Sequence, residues 1–81
     1  MKDLDIFHTI NSLSAEEEAL YASASEGHGL TVEQSERLEA IKVELDRAYD
    51  LLHQRQGRID AGQNPDDATI RSADVVERYQ Q

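Results

Sequence analysis

The groups in this chain that could do chemistry are three histidines, two acidic clusters and a scatter of hydroxyls; there is no cysteine. A helix offers two ligands to one metal ion when they stand three or four residues apart, as in H-x-x-x-H or E-x-x-H. None of His8, His28 and His53 is followed at that spacing by a second ligand. Solvated histidines are therefore the expectation, and no metal site. Glu16-Glu17-Glu18 and Asn64-Pro65-Asp66-Asp67 are the acidic clusters. The second lacks the alternating Asp/Asn pattern, the central glycine and the closing bidentate glutamate of a calcium loop. A solvated surface is the preferred reading of both, with a small acidic cation-binding protein as the alternative function.

Catalysis finds no better footing. Asp46 and Asp50 lie one helical turn apart, but two carboxylates divide acid from base only when burial or a metal separates their pKa values. The serines and threonines have no neighbouring His–acid pattern, and Gly27-His28-Gly29 is a turn, not a phosphate loop. The sequence predicts no catalytic residue, no cofactor and no enzyme.

The most suggestive stretch is Tyr49-Asp50-Leu51-Leu52-His53-Gln54-Arg55. Tyrosine, leucine and arginine close together make an interface hot spot. Tyr49, Leu52, Arg55 and Ile59 are the interface candidates, with Arg55 and Arg58 placed to meet acidic groups. The plainer reading makes Leu51 and Leu52 core and lets Tyr49 cover their edge.

Those residues belong to one long amphipathic element, residues 32–61. Leu38, Ile41, Leu45, Ala48, Leu52 and Ile59 step by three and four with a gap at Arg55, which is a heptad seam. Thr31 with Gln34 predicts a capping box at its start, and Gly62 followed by Pro65 predicts its stop. Before it, residues 6–25 carry Ile6, Ile10, Leu13, Leu20 and Ala24 at helical spacing, with Asp3 or Asp5 as N-cap and Phe7 and Tyr21 widening the stripe. Ser14-Ala15-Glu16-Glu17 also matches a capping box, but the apolar phase is unchanged across it, so one unbroken helix is expected.

The connection, residues 26–31, holds two glycines in three residues and suits a tight reversal. Two long helices joined so briefly become an antiparallel hairpin. At 1.5 Å per residue the second overhangs the first by about 15 Å. Its apolar area needs a cover. Residues 63–81 offer one, through Ile70, Val75, Val76 and Tyr79, with Ser72 as N-cap of a short last helix. A second copy of the chain offers another, completing a four-helix bundle.

Eighty-one residues bound this to one small domain, 1–81. A chain this short often gains its missing core from a second copy. The net charge is −9. A polyanion is repelled by nucleic acid and by anionic lipid, so neither is an expected partner. No run approaches the length of a membrane span and no signal-peptide core opens the sequence. With no cysteine, a cytoplasmic location is expected.

Leu38-Glu39, Glu44-Leu45-Asp46, Tyr49-Asp50-Leu51-Leu52 and Gln54-Arg55 also form a block that resembles a family of short, acidic, functionally uncharacterised actinobacterial proteins. Asn64-Pro65-Asp66-Asp67-Ala68, Arg71, Val76-Glu77 and Tyr79 agree with the same family's tail. The chain departs from it at Tyr49, where tryptophan is usual, and at His53 and Gly57, where arginines are common. The resemblance implies a helical hairpin and brings no activity, cofactor or catalytic residue. Together these readings give an all-α antiparallel hairpin with a short C-terminal helix, paired as a homodimer. Its expected function is that of a non-enzymatic protein-interaction or adaptor module whose partner the sequence does not identify.

Overall fold

Thr31 opens the longest element by satisfying its first turn from both sides. Its hydroxyl oxygen accepts from the Gln34 backbone N–H at 3.0 Å, and Gln34 Oε1 accepts from the Thr31 N–H at 2.9 Å. Two of the donors that every helix start leaves orphaned are thereby bonded. The computed structural model describes residues 2–79, apart from the side chains of Glu26, His28 and Tyr79. The expectations for His28, for the Tyr79 side chain and for residues 80–81 lie outside what it describes.

Three α-helices form, and the fold is all-α: α1 (Asp3–Ser23), α2 (Val32–Asp60) and α3 (Ala73–Tyr79). No strand occurs among the described residues. α1 starts three residues earlier than the apolar spacing predicts. Asp3 and Asp5 are not its cap but its first-turn carboxylates, favourably placed at the positive end of the helix dipole. Asp5 also accepts from the Lys2 backbone N–H at 3.2 Å. α1 runs unbroken through Ser14 and ends in one wide turn, Ala24–His28, in which Gly27 takes a φ of 95°. That left-handed turn reverses the chain, and α2 returns antiparallel to α1.

α2 closes as its glycine predicts. Gly62 has a φ of 74°; its N–H donates to the Ile59 carbonyl at 3.0 Å, and the Gln63 N–H donates to the Arg58 carbonyl at 2.7 Å. This is the double closure that needs a left-handed residue just past the helix. A Cβ on Gly62 would meet no atom within 4 Å, so the penalty for one is torsional. Gly57 has equally open space, but it sits inside α2 in helical backbone. Gly57→Ala is therefore expected to stabilise the protein by about 0.5–1 kcal/mol. Gly62→Ala should destabilise it by about 1–2 kcal/mol. Chemical denaturation of the two variants checks the opposite signs.

Ile6, Ile10, Ala48 and Leu51 form the buried centre between the helices, with Leu45, Leu52 and Ala68 packed around it. Leu38, Ile41 and Val76 are buried as well. The α2 stripe differs from the heptad seam at its later end. Leu51 and Arg55 are buried, Leu45 and Leu52 only partly so, and Ile59 remains 48% exposed. The cause is the C-terminal segment. Beyond α2 a short 3-10 turn (Pro65–Asp67) sends the chain back along α2 as an extended strap that ends in α3. The strap lies on the flank carrying Leu51, so Leu51 is covered by Ile6 from one side and Ile70 from the other. All three line one cavity of about 40 Å³, with Thr9, Glu44 and Ala48.

Side chains of α2 meet carbonyls of the strap. Arg55 donates to the Pro65 carbonyl (3.2 Å), Gln54 to that of Thr69 (2.9 Å) and Arg47 to that of Arg71 (3.0 Å). Arg71 in turn pairs with Asp50 at 3.2 Å. Side chains on one flank of α2 thus replace the ladder that irregular backbone lacks. The Ser72 hydroxyl accepts from the Val75 N–H at 3.3 Å and starts α3 as expected. Of the strap's apolar side chains Val76 is buried, while Ile70 and Val75 stay largely exposed.

Candidate functional site

The four interface candidates part company in three dimensions. Arg55 points inward and is 6% exposed, at the gap in the heptad seam. Its guanidinium binds Asp3 through Nε and, through Nη1, Asp66 (3.0 Å) and the Pro65 carbonyl. One side chain therefore joins the start of α1, the end of α2 and the turn that begins the strap. Its hydrogen bonds to Asp3 first and Asp66 second hold its pKa above the usual arginine value, against the opposing effect of burial. The acidic turn Asn64–Asp67 is in this way half consumed by the fold, since Asn64 also accepts from the Asp66 N–H at 3.0 Å.

Tyr49 and Ile59 stay exposed, at 46% and 48%, while Leu52 is partly buried and packs against the core. Residues two apart on a helix point about 200° from each other. Tyr49 therefore faces away from Leu51, and Phe7 of α1 faces away from Thr9. Leu51 and Thr9 both line the cavity on the strap side. Phe7, itself 50% exposed, and Tyr49 consequently share the flank that the strap leaves bare. Phe7 and Tyr49 are the exposed aromatics of this flank; Leu45 and Leu52 pack against the core, and Ile59 is exposed separately near the end of α2. Phe7 is the one that the sequence reading placed only as a widening of α1; its value depends on where the strap runs.

Elsewhere the chemistry-bearing groups are tied to structure. Asp50 accepts from Gln54 at 2.9 Å and pairs with Arg71, so it is no free acid beside Asp46. Among the described residues no three His, Asp or Glu side chains gather so as to hold a metal ion. A groove of about 390 Å³ beside α1 is lined by His8, Thr9, Ser12, Leu13, Glu16 and Arg37. Arg37 and Glu16 close across it in a two-pronged ion pair, and the Arg37 hydrogen bond holds the Glu16 pKa below its ordinary value. The support this gives the fold is present at neutral pH and is lost as pH falls through that lowered value. Both side chains are over 40% exposed, so the effect is small. No described helix is long and apolar enough to cross a membrane.

Residues 2–81 match the family described as "Protein of unknown function (DUF2630)". Among curated proteins, the chain is similar to "Uncharacterized protein Mb0922c" of Mycobacterium bovis and "Uncharacterized protein Rv0898c" of Mycobacterium tuberculosis. Each is 39% identical over 77 residues, covering 95% of this chain and 88% of the relative. No solved structure matches it.

Proposed function

The chain belongs to the DUF2630 family of proteins of unknown function, and from that premise we propose that it is a non-enzymatic, cytoplasmic protein-interaction module that pairs with a second copy of itself. The observation that carries this reading is the exposure of Phe7, Tyr49 and Ile59, beside the half-covered Leu52, after the chain's own tail has packed. Clustered aromatic and aliphatic side chains flanked by polar ones are the composition of an interface centre. A small domain gains most from adding core through association. Twofold pairing buries the same side chains from both subunits at once, which a single foreign helix does not. Two hairpins joined through them make the four-helix bundle.

Light scattering on the intact chain at tens of micromolar tests the proposal. The expected mass is twice that of one chain, falling to one in Ile59→Glu and in Leu52→Glu. Ile59 is exposed in the single chain, so its variant keeps the fold, which circular dichroism verifies, even where Leu52→Glu disturbs the core. A wild-type mass of one chain removes self-pairing and leaves a foreign protein as the occupant. A dimer that both variants leave intact moves the interface off these residues.

A further inference from the structure

The contact between α3 and α2 contains a carboxylate in a place where a charge is costly. Glu77 lies one residue beyond the buried Val76, on the helix that packs against α2, and its Oε1 is shut off from solvent. Among the described residues that oxygen has no hydrogen-bond partner. A carboxylate oxygen left in this state favours the proton-bound form, because the neutral group costs far less to bury. The neighbours point the same way. α2 presents Asp46 and Glu39 to Glu77, and burial, then Asp46, then Glu39 raise the Glu77 pKa above the usual carboxylate value. Nearby cations have carboxylates of their own: Lys42 lies 3.7 Å from Glu39, and Arg78 pairs with Asp74 on α3 at 2.7 Å.

We propose that α3 is a proton-held latch: with Glu77 protonated it closes on α2, and with Glu77 ionised it lifts and uncovers the surface beneath Val76. The sign follows from linkage. A carboxyl group that binds its proton more tightly in the docked state supports docking fully at pH values below its free pKa. That support is lost as pH rises through the raised one. The hold on the rest of the strap is independent of this proton, because Arg47, Gln54 and Arg55 grip its backbone carbonyls. Lifting is therefore confined to α3, whose buried apolar anchor among the described side chains is Val76.

Amide exchange followed by NMR on the whole chain, corrected for the intrinsic rate, reads the latch directly. The Val76 N–H donates to the Ser72 carbonyl at 3.1 Å and is protected only while α3 is formed. Its protection factor is expected to fall severalfold between a pH below the ordinary carboxylate range and one well above it, while that of Ile41 in α2 holds. Glu77→Gln, which cannot ionise, should keep α3 protected at both values. Equal wild-type protection at both values overturns the proposal, and so does a Glu77→Gln chain with the wild-type pH dependence. Should Glu77→Gln fail to dock at all, Asp46→Asn decides. Removal of the facing charge must weaken the wild-type dependence, and an unchanged dependence refutes the latch.

Discussion

Ile41→Ala is expected to lower the unfolding free energy by about 2–5 kcal/mol, the range for deleting a fully buried branched side chain. Ile41 is 0% exposed, the most completely buried side chain of α2. The void left by its truncation lies in the middle of a 29-residue helix that packs on both α1 and α3, where neither end can collapse to fill it. For a domain of this size each kcal/mol moves the midpoint by roughly 4–8 °C, so a fall of roughly 8–40 °C should be visible in a thermal melt. Leu45 shares the heptad seam but is only partly buried, so Leu45→Ala should cost less. The two melts must be run at one protein concentration, since association would raise both midpoints. An Ile41→Ala midpoint equal to wild type, or a larger loss at Leu45, would mean that the helices pack in another register.

Asp3→Asn combined with Asp66→Asn is expected to destabilise the protein more than Arg55→Met does. Only one member of the cluster is buried. The Arg55 side chain is 8% exposed, whereas those of Asp3 and Asp66 are 49% and 62% exposed. Removal of both carboxylate charges strands a guanidinium inside the fold, the condition under which breaking a buried pair is most damaging. Replacement of the arginine instead releases two acids that water already reaches and places an apolar side chain where the seam lacks one. Arg55→Met is thus expected to fall near wild type in a urea titration, and the double aspartate variant well below it. The reverse order would show that Arg55 is held by something other than these two acids. A loss in the double variant should also appear first in the strap, because Asp66 and the Pro65 carbonyl tie it to the guanidinium.

Local features of this fold were legible in the residues because their physics is completed within a turn or two. Thr31 finds Gln34, Ser72 finds the Val75 N–H, Gly62 supplies its own left-handed φ, and two glycines reverse the chain. Each involves atoms a few residues apart, so the side-chain types suffice to predict it. The start of α1 was misplaced for the same reason. The first-turn aspartates look like caps until one knows that Ile6 already faces α2.

What the sequence alone determined is therefore the all-α hairpin, its helix boundaries to within a few residues and the early seam from Leu38 to Ala48. Only the tertiary structure decided which side of α2 the strap takes, and three assignments depend on that choice. It buries Leu51 ahead of Leu52, makes Arg55 an internal clamp for Asp3 and Asp66 instead of an outward-facing contact, and brings Glu77 against Asp46. Helical periodicity fixes the angle of a side chain around its own axis but holds no information on what arrives from outside. Asp3 and Arg55 stand 52 residues apart, and their pairing became visible only when the chain had closed.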